Sequence, residues 1–458
     1  MAEIKELDFQ LSDEGWNLSG GKSFNIWGLV DFPKELLKYI LDYKKKTFIS
    51  FDPTTGKRIK TSGKRAPVWT AFDKYLYHDY DVKSGEKLPK ISATFKFSFD
   101  HKYSAIVENM GMQIALALDM PTAYNYIVAF TPEKHPEIAA HLRTKRDRDN
   151  VQPLRDRDNV QPLGIVSVDF LQARQASPKS TGKKIYSHDD VEEEIDSFSH
   201  IDGDELIPFE DLLDQYHIAY DKFAGEDHCL DKWIAAIDQI AYMKYSHMPR
   251  EQLNKTLHDI HSRIARSFLL KDCLLGDCDF TSYNAGIVTN AHKIRYAANH
   301  DYGDTCAHLI KQKLIAKPNH GISQEDFDKL LKNVQEYLTS LQASYQQQSV
   351  EELASQWASN TSKYNFYYVL KNFPQACSEF FKNLDNLARR NQIAKIVDQY
   401  TKMTLNGQPL LTKEEATMFK KYLTARLTHY CDLYVEYLNA NHSEVPQEIE
   451  TDDYSIEI

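Results

Sequence analysis

Apolar residues recur along this chain in two rhythms, and the change between them divides it. In the first part the rhythm is alternation. Ile91, Ala93, Phe95 and Phe97 fall on one face of a predicted strand and leave Lys96 on the other. Residues 123–133 (AYNYIVAFTPE) and Gly164–Leu171 (GIVSVDFL) predict further strands, and Val68–Tyr77 is strand-like. A helix is predicted from about Tyr103 to Leu118, with Val107, Ile114, Ala115 and Leu118 as its apolar stripe, and a short one over Phe32–Tyr43. From Pro208 the steps lengthen to three and four. Glu210–His217, Leu230–Tyr245 and Arg250–Leu270 predict helices, the last burying Leu253, Leu257, Ile260, Ile264 and Phe268 along one face. Residues 304–441 read as helix throughout, with capping-type starts at Ser323-x-x-Asp326 and Thr412-x-x-Glu415. One stripe there runs through Phe327, Leu330, Leu331, Val334, Leu338 and Leu341, and another through Phe419, Leu423, Leu427, Tyr430 and Tyr437.

Several stretches fit neither rhythm. The nonapeptide RDRDNVQPL occurs twice in tandem, at Arg146–Leu154 and Arg155–Leu163. Its alternating charges and proline predict a solvated loop, and two short copies are too few for a solenoid. Gln172–His200 is polar and acidic, and Leu18–Lys22 (LSGGK) reads as a turn because it lacks phosphate-loop spacing. The segment after Asn441 carries six acidic residues and no Lys or Arg, which predicts disorder. Before the first strands lies a cationic stretch of Lys44, Lys45, Lys46, Lys57, Arg58, Lys60, Lys64 and Arg65, eight positive charges within 22 residues. It is either a solvated face or a pocket for a polyanion such as an inositol polyphosphate or a phosphoinositide headgroup.

Composition narrows the class. At 458 residues the chain has room for two or three domains, and 42% hydrophobic with 12% aromatic residues excludes a disordered chain. A net charge of −11 argues against generic nucleic-acid binding. Six cysteines without even spacing read as reduced cytosolic thiols. The first residues lack the apolar core of a signal peptide, and no run of 18 apolar residues could span a bilayer. A cytoplasmic protein is expected, associated with membranes at most peripherally. His258, His261, Cys273 and Cys278 lack zinc-site spacing.

The candidate chemistry lies in Gly276–Asn284 (GDCDFTSYN) and His300–Gly303 (HDYG). An apolar helical pattern enters the first motif, and the alternating Ala285, Ile287 and Val288 leave it as a strand, so the second motif follows after one short hairpin. Phosphoryl transfer needs an Asp to meet the acceptor hydroxyl, with an Asn and a second Asp to share Mg²⁺. Asp279, Asn284 and Asp301 reproduce that order. Thr61–Pro67 is the better of two glycine-loop candidates, since Ser62, Gly63 and Lys64 would let backbone N–H groups approach phosphate.

"LLGDCDFTSYNAGIV" followed by "HDYG" resembles the catalytic loop and metal-binding turn of HipA-like serine/threonine kinases, a distant branch of the protein-kinase fold. The resemblance covers roughly residues 60–310. It implies that Lys96, some thirty residues after the small-residue loop, binds ATP, and that Glu108 on the next helix pairs with it. Asp279 would then be the catalytic acid–base residue, with Asn284 and Asp301 holding Mg²⁺. Two departures stand out: Asp279-Phe280-Thr281 replaces the family's frequent Asp-Arg-His, and Tyr302 replaces the usual Phe of the turn.

Pattern and resemblance together predict an α+β, bilobal protein-kinase-like fold with a β-rich small lobe, a helical large lobe and an additional C-terminal helical module. The expected divisions are a 1–60 extension, a 61–205 small lobe with an inserted loop at 142–163, a 206–349 large lobe, a 350–441 module and a 442–458 acidic tail. The expected function is Mg²⁺- and ATP-dependent phosphorylation of a protein Ser/Thr hydroxyl, with polyanion activation and action as a bacterial effector inside a host cell as extensions. The rivals are a lipid or small-molecule kinase, another kinase-fold transferase, and a non-catalytic scaffold that binds phosphoinositide or a partner. Retention of Lys96, Asp279, Asn284 and Asp301 together favours an enzyme, because a scaffold has no need of all four.

Overall fold

A computed structural model of the chain describes residues 2–11, 24–31, 41–42, 47–51, 58–60, 90–97, 102–118, 120, 122–131, 133–136, 138, 163–168, 205–219, 228–289, 294–297, 299–314, 348–357 and 360–441. The first strands are β1 (Ala2–Glu3), β2 (Gln10–Leu11), β3 (Phe24–Asp31), β4 (Leu41–Asp42), β5 (Thr47–Phe51), β6 (Arg58–Lys60) and β7 (Lys90–Phe97). Helix α1 (Tyr103–Ala117) precedes β8 (Asn125–Ala129), β9 (Leu163–Val168) and β10 (Glu205–Pro208). Then come α2 (Phe209–Gln215), α3 (Leu230–Lys244) and α4 (Arg250–Phe268), the last running on as a π-helical turn over Leu269–Leu274. The hairpin β11 (Gly286–Thr289) and β12 (Ile294–Tyr296) leads to α5 (Ala307–Leu309). Helices α6 (Val350–Ala354), α7 (Asn360–Asn372), α8 (Pro374–Asp385) and α9 (Leu387–Gln399) follow, then β13 (Met403–Leu405), β14 (Gln408–Pro409) and α10 (Lys413–Asn441).

The mixed α+β composition is as expected. Five strands form an antiparallel sheet in the order β2-β3-β7-β9-β8, with β7 central. Its alternation works as the pattern requires: Ala93 and Phe95 are fully buried, whereas Lys96 leaves the opposite face half-buried. Phe95 packs against Phe9 and Phe130, with ring centroids 6.0 and 5.7 Å apart. Helix α1 covers this sheet, yet it is buried on nearly every side rather than along a stripe. The second cover is the C-terminal helices. Tyr400 donates to Asn109 Oδ1 at 2.8 Å, Arg389 donates to the Ala117 carbonyl, and Lys102 and Tyr103 both reach Glu415. Residues after 350 therefore share one continuous apolar core with the sheet and with α3 and α4.

The strand β10 completes a second sheet with β11 and β12, all antiparallel. Its register sets Ile207 opposite Ile287, and Ile287 opposite Tyr296, so the hairpin after Gly276–Asn284 is fixed by pairing on both sides. Phe209 stacks on Trp233 at 4.5 Å, and Trp233 meets Phe280 edge-on at 5.5 Å, joining α2 and α3 to the motif.

Three expectations change. Leu41–Asp42, at the end of the helix expected over Phe32–Tyr43, pairs as a strand with Thr47–Phe48. Leu163, expected at the edge of the inserted loop, is the first residue of β9. Residues 304–441 are not helix throughout, because β13 and β14 form a hairpin turned by Asn406 and Gly407, at φ 51° and 75°. Two consecutive left-handed residues match a two-residue hairpin turn, and Asn-Gly adopts that shape readily. Strand β1 pairs in parallel with β13, and the Glu3 carboxylate accepts from Thr404 Oγ1 and the Asn406 N–H. The Thr412-x-x-Glu415 start is a reciprocal cap, Thr412 Oγ1 accepting from the Glu415 N–H at 3.1 Å and Glu415 from the Thr412 N–H at 2.7 Å.

The expectations for Val68–Tyr77, the Ser62-Gly63-Lys64 loop, Lys44–Lys46, Lys57, Arg65, Gln172–His200, Ser323–Leu341 and the segment after 441 lie outside the described residues, as do the tandem nonapeptides apart from Leu163. Among the described residues no helix is long and apolar enough to cross a membrane.

Candidate active site

The predicted residues come together where the polar face of β7 meets α1 and the His300–Gly303 turn. Lys96 Nζ lies 2.5 Å from Asp301 Oδ1 and 3.6 Å from Glu108 Oε2. Burial works against the ammonium, but Glu108 and Asp301 outweigh it and hold Lys96 above the ordinary lysine pKa. Burial would likewise push the Asp301 carboxyl up, yet Lys96 holds it well below the usual carboxylate range. Glu108 sits on the buried face of α1, and burial raises its pKa despite Lys96.

Close packing holds α1 against the turn. A Cβ on Gly111 would stand 2.6 Å from the Tyr302 ring, so only glycine lets the helix approach this near. Tyr302 is fully buried and its hydroxyl shares a 2.9 Å hydrogen bond with Thr122 Oγ1. The departure from Phe at this position is thereby satisfied within the core. Asp301 adopts φ 53°, left-handed for a residue with a Cβ, which costs about 1–3 kcal/mol and persists only where surrounding contacts impose it.

The Gly276–Asn284 motif leaves the π-helical turn as a loop. Asn284 Nδ2 donates to Asp279 Oδ2 at 2.7 Å and to the Asp279 carbonyl at 3.1 Å, closing the five-residue interval into a small ring. With its amide nitrogen so engaged, Asn284 keeps its amide oxygen for a cation. Burial raises the Asp279 pKa, and Asp301 and Asp304 add to that. Asp279 and Asp301 are thus pushed in opposite directions, one toward proton acceptance and one toward permanent ionisation.

Two residues not singled out beforehand complete the frame. Lys271, in the π-helical turn, donates to the carbonyls of His300 and Asp301 at 3.0 and 2.8 Å and lies 3.6 Å from Asp277 Oδ2. Asp277 Oδ1 accepts the Asp279 N–H at 2.9 Å, and burial pushes the Asp277 carboxyl up to about 7 with Lys271 partly opposing it. The available signal was a Lys-Asp pair inside an apolar run, LLKDCLLGD, because charged residues are seldom fully buried unless paired.

The donor set suits Mg²⁺. Asp279, Asp301 and Asn284 offer oxygen ligands only, and this cation binds through one or two carboxylates plus phosphate and water. No cluster of three His, Cys, Asp or Glu residues that would hold a metal without phosphate occurs among the described residues. Of the residues expected to bind nucleotide, Lys96 is in the site, whereas Ser62, Gly63 and Lys64 lie outside the described residues.

No family model and no curated protein matches the chain. Among solved structures it is similar to the proinflammatory kinase CtkA of Helicobacter pylori, at 12% identity and a TM-score of 0.37, over 76% of this chain and 92% of that one. It is also similar to the HipA, HipB and operator DNA complex of the toxin–antitoxin system of Shewanella oneidensis MR-1. That likeness has 12% identity and a TM-score of 0.33, covering 77% of this chain and 61% of that one. HipA and CtkA are thus among the solved structures to which the chain is similar.

Proposed function

We propose that this chain is an ATP- and Mg²⁺-dependent phosphotransferase whose acceptor is a Ser or Thr hydroxyl of a protein. The observation that carries the reading is the convergence of Lys96 on Glu108 and Asp301, at 3.6 and 2.5 Å, beside the bonded pair Asp279–Asn284. Mg²⁺, when bound, would neutralise charge that develops on the phosphates. Lys96, fixed by Glu108, would hold the α- and β-phosphates. Asp279 would orient the acceptor hydroxyl and take its proton, and its raised pKa favours that transfer. Asp301 and Asn284 would supply the cation's oxygen ligands.

The test begins with γ-phosphate transfer from Mg²⁺–ATP to protein, lipid and small-molecule acceptors in parallel. Lys96→Ala is expected to abolish the thermal stabilisation that Mg²⁺–ATP gives the wild type, while the free variant keeps its fold. An unchanged ATP-induced shift in the variant would remove Lys96 from the nucleotide site.

The cationic residues Lys44, Lys45, Lys46, Lys57, Arg58, Lys60, Lys64 and Arg65 are proposed to bind a polyanion that raises turnover; only the backbone of Arg58 and Lys60, in β6, is among the described residues. An inositol polyphosphate is expected to bind with steep salt dependence and to lose affinity in a Lys44/Lys45/Lys46→Ala variant. Calorimetry at two salt concentrations checks this, and equal binding by the variant would refute it.

A further inference from the structure

Lys271 is the least expected charge in the protein. Its side chain is 1% exposed and that of Asp277 is 0% exposed, so an isolated ammonium here would carry a large desolvation cost. An apolar side chain would fill the space without that cost. What surrounds the ammonium shows what a cation achieves there. Two of its contacts are the carbonyls of His300 and Asp301, and the third is the Asp277 carboxylate. It also lies over the rings of Phe280 and Tyr302, at 5.4 and 5.2 Å from their centroids. Every one of these partners belongs to residues 277–280 or 300–302, the two segments that carry Asp279 and Asp301.

The connections are short on both sides. On one side Lys271 hydrogen-bonds the carbonyl of Asp301 itself, the residue held at φ 53°. On the other it faces Asp277, whose second oxygen accepts the Asp279 N–H and whose own N–H donates to the Lys271 carbonyl at 2.9 Å. Asp277 Oδ2 has no hydrogen-bond partner among the described residues, so the ion pair with Lys271 is what compensates its burial. The π-helical register of Leu269–Leu274 places Lys271 here, and such irregular turns recur at functional sites because they re-aim a side chain.

We propose that Lys271 is a positioning residue that sets the distance between Asp279 and Asp301, one ammonium holding the metal-binding turn by its backbone and the catalytic loop through Asp277. This rests on the phosphotransferase reading for its catalytic consequence and on geometry alone for its structural one. Misplacing a reacting group by about 1 Å can cost about 10²-fold in rate.

The test separates positioning from stability. Lys271→Met alone strands a buried carboxylate and is expected to unfold easily. Lys271→Met with Asp277→Asn removes both charges, keeps an oxygen to accept the Asp279 N–H, and is expected to restore thermal stability. Turnover of Mg²⁺–ATP in this double variant should nevertheless stay about 10²-fold down in kcat. Amide exchange across 299–306 should quicken at equal stability. Recovery of turnover together with stability, or wild-type exchange protection, would overturn the proposal. Asp277→Asn alone covers the case in which the double variant does not fold. It leaves Lys271 on both carbonyls, so protection across 299–306 should persist, and its loss there would overturn the assignment. A wild type that transfers no phosphate would defeat the phosphotransferase reading, and the exchange measurements would still decide the positioning role.

Discussion

Asp279→Ala is expected to lower phosphoryl transfer by about 10²–10⁴-fold, the usual loss when a positioned acid–base group is removed, and Asp301→Ala, which removes the proposed metal ligand, by at least as much. The two should fail differently. Asp279→Ala removes the proton acceptor but leaves the Lys96–Asp301 and Lys96–Glu108 contacts in place, so Mg²⁺–ATP should still stabilise the fold. Asp301→Ala removes the proposed metal ligand and the shorter of the two carboxylate contacts to Lys96, so Mg²⁺-dependent stabilisation should fall with turnover. It also relieves a left-handed backbone of its side-chain anchor, and a modest change in melting temperature is expected. Parallel thermal melts and turnover assays check both. Wild-type turnover in either folded variant would disprove the assignment of roles.

The largest expected effect on stability belongs to Arg426. Its guanidinium is fully buried and donates to the carbonyls of Cys273, Asp272, Ala354 and Gln356, at 2.7, 2.5, 3.1 and 3.1 Å, and to Tyr430 Oη at 3.2 Å. One side chain on α10 thus terminates the π-helical turn and caps α6. Arg426→Met would leave these acceptors in the core without donors, and each such loss costs about 1–3 kcal/mol. The Asp272 carboxyl, pushed up to about 6 by burial, would also lose the cation that opposes the shift. With five acceptors affected, a total of about 5 kcal/mol or more is expected, lowering Tm by about 5 °C or more in a chain of this length. A melting temperature within a degree or two of wild type would contradict this.

Local features of the site could be read without the fold. Alternation over 91–97 placed Lys96 on the polar face, and the Asp279-x₄-Asn284 interval with a following hairpin located Asp301. These succeed because strand periodicity and hairpin length are short-range. The Lys96–Glu108 pair needed the family resemblance, since nothing local distinguishes Glu108 from a solvated helix acid. The roles of Lys271 and Arg426 had only a faint local signal, in nearby Asp277 and Tyr430, because their carbonyl partners lie 29–30 and 70–154 residues away along the chain. The β13–β14 hairpin was a different case. Asn406-Gly407 is a strong turn signal, but it sits among helical stripes that outweighed it.

The reach of Arg426 sets an order of events during synthesis. Cys273, whose carbonyl it caps, leaves the ribosome 153 residues ahead of the arginine. At about 5–20 residues per second, that interval lasts roughly 8–30 s. Throughout it the segment entering Gly276–Asn284 lacks the donors of Arg426, and for most of it α1 also lacks Arg389 and Tyr400, which reach its outer side. The nascent protein therefore carries every candidate site residue well before Arg426 can brace the segment that leads into them, and the proposed activity would begin only after α10 has docked.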